Sequence, residues 1–195
     1  SVVKPLNTRF TEPGLNPNVT KIRENSGAYH ANVLDSGHGS VLEHATATWA
    51  IENVSRVFTH ELVRNRAGNA FSQESLRYVR LTDLGFWFPP DLAGDPDVVA
   101  RGIALVEQME EFQRWLAARY EIGTTKDFAR KKRLTSAFRR FAPIGLATGI
   151  VLTTNMRALR WLIEQRTAEA AEIEIRLVFN RIARIAAQRW ALVFQ

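Results

Sequence analysis

The sequence predicts one α+β domain, and three observations carry that prediction. Residues 43–55, EHATATWAIENVS, alternate small or apolar side chains with polar ones, the period-2 pattern of a half-buried strand. Residues 97–120 and the stretch from Ala168 to Phe194 read instead as long amphipathic helices. No internal repeat, low-complexity tract or linker divides the 195 residues, and a hydrophobic share of 46% is enough for one core. The domain expected is therefore the whole chain, 1–195.

Residues 1–40 are rich in Pro, Gly, Asn and Ser and read as loops and short turns, so that 1–36 form a loop-rich N-terminal part. The strand at 43–55 runs into a helix over VSRVFTHELVRNR, with Val54, Val57, Phe58 and Leu62 at helical spacing and Arg64 and Arg66 at its C-terminal end. LRYVRLTDLGFWFPP looks extended and is stopped by Pro89 and Pro90. After an aspartate cap, Val98, Ile103, Val106, Met109, Phe112, Leu116 and Tyr120 fall at three- and four-residue spacing, a helix whose expected role is packing. Residues 126–140, KDFARKKRLTSAFRR, hold seven basic side chains and one acid, an excess equal to the whole chain's charge of +6. APIGLATGIVLTTN reads as a turn and a buried strand, and NMRALRWLIEQR as a helix capped by Asn155. The final helix carries its acids early and its arginines late, the order that complements a helix dipole.

A charge of +6 favours anionic partners: nucleic acid, a membrane surface or phosphorylated small molecules. The chain has no cysteine, which excludes disulfides, thiolate metal sites and a cysteine nucleophile. The N-terminus lacks the apolar run of a signal peptide and no apolar stretch approaches the ~18–20 residues of a membrane span. A soluble, cytoplasmic protein is expected.

Three groups of residues could carry chemistry. RNRAGNAFSQESLRYVR, residues 64–80, gathers four arginines with Ser72, Gln73, Ser75 and Gly68. Arg64 and Arg66 could serve only to satisfy a helix C-terminus. A phosphate, however, wants this same mixture of guanidinium, hydroxyl and amide donors. In SGHGSVLEH, residues 36–44, glycines flank His38, and Glu43 precedes His44. Neither HExxH nor a His pair one turn apart is present, so no metal site is expected, and a loop histidine with a capping carboxylate is the plain alternative. Arg139 and Arg140 are followed by Asn155, Arg157 and Arg166, and the last three, on different turns of a helix, could line a groove; a solvated face is the plain alternative for Arg157 and Arg160. The aromatics follow core spacing rather than any nucleic-acid-binding pattern.

RNRAGNAFSQESLRY resembles the signature of flavin-dependent thymidylate synthases, RHRxxSxNExSxRY. HGSVLEHATATWAI resembles that family's His, Ser/Thr and Glu-His segment before a strand, and NMRALRWLIEQRTAEAAEIEIR its C-terminal Asn-x-Arg helix. The three blocks lie in the family's order across roughly residues 37–176. The resemblance implies a small, central, mostly antiparallel sheet flanked by long helices, in a homotetramer with shared active sites. It implies methylation of dUMP to dTMP with methylenetetrahydrofolate as carbon donor, and FAD reduced by NADPH. The unrelated class of thymidylate synthase needs a cysteine, which this chain lacks. No nucleic-acid or membrane partner is implied.

The resemblance assigns Ser75 and Arg166 to catalysis, and Glu61, Gln73, Ser75, Leu76, Arg77, Arg139 and Arg166 to dUMP. Ser75 and Arg77 meet the phosphate, and Arg166 the uracil ring. His38, Ser40, Glu43, Arg64, Asn65, Arg66, Asn155, Arg157 and Trp161 fall to FAD. Asn65 stands where the signature has histidine, Glu61 where glutamine is usual and Ala170 where some members have histidine. One extra residue separates Arg66 from Ser75, and Gly68 or Asn69 could absorb it. A nucleotide- or flavin-binding relative with lost or altered activity, and a basic nucleic-acid-binding module, are the alternatives.

Overall fold

The computed structural model describes residues 26–76 and 85–194. Arg77 and most of the stretch expected to be extended after Leu76 lie outside them. The sheet has three antiparallel strands in the order β1 (Thr46–Ser55), β3 (Ala147–Asn155), β2 (Asn69–Gln73). The central strand β3 pairs along nearly its whole length with β1, from Thr46 opposite Asn155 to Ser55 opposite Ala147. A bulge between Ile51 and Val54 places Asn53 at φ 56°, which an Asn tolerates in a sharp local bend.

One sheet face is buried beneath three helices: α2 (Arg56–Leu62), α6 (Met156–Thr167) and α7 (Ile173–Arg189). Phe58 and Leu62 of α2, Leu152 of β3, Leu159 and Leu162 of α6, and Ile175 and Phe179 of α7 are completely buried there. The opposite face carries small and hydroxylic side chains, Thr48, Ala50, Ser72 and Val151, and is open. There the Thr48 and Thr153 hydroxyls are 2.9 Å apart across the β1–β3 pair.

Several expectations need correction. Within the N-terminal stretch read as loops and short turns, where any helix is expected to be short, Ser26–Asp35 form the ten-residue helix α1, beyond the last proline of that region, while residues 1–25 lie outside the described residues. Pro90 does not merely stop the preceding segment but opens the short helix α3 (Pro90–Ala93), where a missing N–H costs nothing. The long helix α4 (Pro96–Arg119) is capped by Asp95 as expected, yet of its apolar stripe only Leu116 is buried. Ile103, Phe112 and Tyr120 are exposed, as are Leu105 and Trp115 beside them. The basic run forms α5 (Phe128–Phe138), held to α4 through buried Phe138, whose carbonyl accepts from Gln113 Nε2 at 3.1 Å. The last helix is shorter than the stretch 168–194, because the Glu172 carboxylate captures the Glu174 and Ile175 N–H groups and sets the start at Ile173.

A buried carboxylate ties this last helix to the sheet. Glu174 accepts from the Ser55 N–H at 2.6 Å and from the Ser55 hydroxyl, and the same hydroxyl oxygen caps α2 by accepting from Phe58 N. Burial pushes the Glu174 carboxyl above the usual glutamate range; the bonds from Ser55 oppose this and the charge of Glu172 adds to it. The folded state thus favours the protonated form. This group's stabilising share is full in acid and is lost as pH rises from the ordinary glutamate range through the raised value. Glu174→Gln keeps the shape and stays neutral, so its melting temperature relative to the parent should climb as pH goes from about 4 to about 8. A constant offset across a pH series of melting curves would mean that Glu174 titrates normally.

Candidate functional site

Asn155 ends β3 and caps α6: its side-chain oxygen accepts from Ala158 N at 2.8 Å, and its own N–H donates to the Gly68 carbonyl at 3.0 Å. Gly68 adopts φ +73°, and a Cβ there would stand 2.7 Å from Asn155 Nδ2 and 2.8 Å from Ala158 Cβ. Only glycine fits that crossing. One residue further, Met156 N donates to Ala45 O at 2.9 Å, bringing in the 3-10 turn Gly39–His44. Arg157 then reaches Glu43 with an Nη1 to Oε1 distance of 2.6 Å, and its aliphatic stem and Nε lie against Gly39.

These bonds bring the three distant sequence blocks together at one end of the sheet. His38, Ser40, Arg64, Arg66, Arg157 and Trp161 are all exposed around the junction. Arg66 lies over the Phe71 ring at 5.9 Å. Asn65 turns inward, donating through Nδ2 to Leu62 O at 3.5 Å and accepting on its carbonyl from Asn69 Nδ2 at 3.1 Å. The donor set suits an anion, and the exposed Trp161 one turn beyond Arg157 adds a flat apolar surface.

A second group is strung along α2. Arg166 donates to the Glu61 carbonyl at 3.0 Å and lies 3.5 Å from the Glu61 carboxylate, which also pairs with Arg64 at 3.5 Å. Glu61 is therefore balanced by two guanidiniums rather than facing a ligand phosphate uncompensated. The Arg166 side chain is only 18% exposed, and its buried Nε has no hydrogen-bond partner among the described residues. Gln73 donates to Thr59 Oγ1 at 2.9 Å, leaving its amide oxygen as an acceptor. Ser75 and Leu76 follow, half-buried, just past the end of β2. Arg139 closes α5 and is exposed, and its charge acts on Arg56.

Sequence reasoning missed Arg56. Its N–H donates to Ile144 O and its Nη2 to Glu74 O, both at 3.0 Å. Burial lowers its pKa, Glu74 opposes that fall and the charge of Arg139 adds to it. As one arginine among many in a helix read for its apolar spacing, it gave no signal of its own. Ser55 and Glu174 were missed too, because a buried carboxylate looks like any early acid of an amphipathic helix.

The model of the family described as thymidylate synthase complementing protein (Thy1) matches residues 7–190. The chain belongs to this family. Proteins named flavin-dependent thymidylate synthase are similar to this Thy1-family chain: one from Nitratidesulfovibrio vulgaris is 38% identical over 156 residues, 80% of this chain and 62% of its own. Another, from Mycobacteroides abscessus, is 38% identical over 157 residues, 76% of this chain and 60% of its own. The chain thus spans about three-fifths of the length of these curated relatives. A crystal structure of Thymidylate Synthase X from Helicobacter pylori, determined with FAD and dUMP, shares the fold with a TM-score of 0.62 at 18% identity. It covers 86% of this chain and 80% of that one. Among the described residues of this Thy1-family chain, no helix is long and apolar enough to cross a membrane.

Because Gly68 carries both a left-handed φ and a close crossing, Gly68→Ala is expected to destabilise the fold by about 1–3 kcal/mol. The urea midpoint should fall accordingly. An unchanged midpoint would mean that the turn relaxes away from Asn155 and α6.

Proposed function

We propose that this chain is a flavin-dependent thymidylate synthase, methylating dUMP to dTMP with methylenetetrahydrofolate as carbon donor and NADPH as reductant. The observation that carries the reading is Arg166, whose half-satisfied guanidinium is held in place by Glu61 in the last turn of α2, just before the arginine-rich turn. The Arg166 side chain keeps 18% of its surface exposed; a uracil carbonyl oxygen is the kind of acceptor a guanidinium takes, and negative charge gathering on that oxygen would be stabilised where water is scarce. The 38% identical relatives, named for this activity, support the same assignment.

The nucleotide is held by Ser75 and Arg77 at its phosphate, with Gln73, Leu76, Glu61 and Arg139 around it, and Arg166 orients the ring. Ser75 and Arg166 are the groups nearest the chemistry. FAD is assigned to His38, Ser40, Glu43, Arg64, Asn65, Arg66, Asn155, Arg157 and Trp161. Their guanidinium, hydroxyl and amide donors suit a diphosphate, and Trp161 suits a planar ring. When bound, the flavin supplies the two electrons, drawn from NADPH, that bring the transferred one-carbon unit to the methyl level. The chain's own groups bind, orient and polarise; no protein nucleophile is required of a sequence without cysteine.

The sites are completed in a cytoplasmic homotetramer. The exposed stripe of α4, with Trp115 55% and Leu105 56% accessible, supports burial against other copies. The separation of the Arg56–Arg139 neighbourhood from the Arg157 junction fits sites shared between subunits.

Tritium release from dUMP labelled at C5, with FAD, NADPH and methylenetetrahydrofolate each omitted in turn, tests the proposal. Release that requires both FAD and the reductant, with dTMP formed when folate is present, is expected. Arg166→Ala should lower turnover more than tenfold. No release from the folded protein would transfer the assignment to a binding protein of the same family, and an unchanged rate in Arg166→Ala would remove Arg166 from the site.

A further inference from the structure

We propose that helix α5 is a docking surface for the carboxylate-rich tail of the carbon donor, a chain of γ-linked glutamates extending from the end of methylenetetrahydrofolate remote from its reacting carbon. The proposal rests on the synthase reading above and extends it to a basic helix of which that reading uses only Arg139. Residues 126–140 hold seven basic side chains and one acid, an excess equal to the chain's net charge of +6. The one acid is already committed, because Asp127 caps α5 by accepting from Arg130 N at 2.9 Å. Lys126, Arg130, Lys131, Arg133, Arg139 and Arg140 make no carboxylate ion pair within 4.0 Å among the described residues.

These charges stand where a helix by itself disfavours them. Arg130 and Lys131 lie in the first turn of α5, which holds no acid beyond the capping Asp127 and where the helix dipole opposes cations. Arg130 and Arg133, three residues apart, share a face and repel each other. Arg140, whose Nη1 donates back to Ser136 O at 3.3 Å, continues the row at the other end. The support is fixed: the buried Phe138 has its carbonyl bonded to Gln113 and its ring 5.7 Å from that of Tyr120. Lys126, Lys131, Arg133, Arg139 and Arg140 are exposed. A row of like charges without an internal counter-charge fits an anion that carries several charges along its length. Spacing favours a γ-glutamyl chain. An extended ordinary residue spans about 3.5 Å, and the γ-link adds two backbone carbons, so carboxylates recur at roughly the 5.4 Å pitch of a helix. The helix ends at Arg139, which the synthase reading sets beside the nucleotide, so a tail leaving that site can follow α5 lengthwise.

Calorimetric titration of the full chain, supplied with FAD and dUMP, compares pteroylmonoglutamate with pteroylpentaglutamate. A single-stranded oligonucleotide of similar charge serves as the competing polyanion. The parent is expected to bind the pentaglutamate at least tenfold more tightly at low salt, with the advantage shrinking as chloride is added. The double variant Arg130→Gln/Arg133→Gln should lose most of that advantage while binding the monoglutamate like the parent. Lys126→Gln/Arg133→Gln, which alters exposed side chains only, carries the comparison if the first variant does not fold. Equal affinity for the two tail lengths in the parent, an undiminished advantage in the variants, or an oligonucleotide bound more tightly than the pentaglutamate would each overturn the proposal. Formation of dTMP, measured with methylenetetrahydrofolate of both tail lengths, separates the two readings. A tail-length advantage that depends on the arginines without dTMP keeps the surface and discards the synthase; dTMP formed with the same KM for both lengths does the reverse.

Discussion

The change of direction at Asn155 is the constraint on which the candidate site depends. A single asparagine ends the central strand, caps the following helix and receives the Gly68 carbonyl on its N–H. The next two residues secure Ala45 and Glu43. Each of these bonds is worth only about 1 kcal/mol. Together they join a histidine-containing turn, an arginine-rich turn and a helix start that lie far apart in sequence. Residues with little core burial of their own are thereby assembled on a rigid edge.

Helix α2 has the complementary role. Its inner side chains, Phe58 and Leu62, are wholly buried in the core, while Arg56 and Glu61 organise the charged groups at its two ends. Glu61 shows how the charges are arranged. The exposed Glu61–Arg64 pair adds little stability, but the contact with the mostly buried Arg166 fixes where that guanidinium stands. The same seven-residue helix thus carries core packing and charged groups of the candidate site, so a change to either disturbs the other.

The local signals in the sequence proved dependable where a physical pattern repeats along the chain. Alternation in TATWAIENVS marked β1, and Asn155 was recognised as a cap from its place before an apolar-periodic run. Asp95 and the stripe of α4 likewise marked a helix, but that stripe could not say what covers it, and most of it remains exposed in the single chain. The boundaries of α7 were missed because the capping carboxylate is Glu172, one of several acids in a row. The blocks holding the candidate site were legible because they match a family signature. Arg56 and the Ser55–Glu174 pair were not, since their significance lies in contacts between segments far apart in sequence, 119 residues in the latter case.

The pairing of β1 with β3 also sets an order of events. Thr48 and Thr153 face each other across 105 residues of chain, so this part of the sheet cannot close until the segment through Asn155 has been made. Closing so long a loop is entropically costly and tends to make folding slow. During synthesis the arginine-rich turn and the histidine-containing turn emerge well before the strand and helix that organise them. The nascent chain therefore presents its basic segments before the strand and helix that gather them at one end of the sheet.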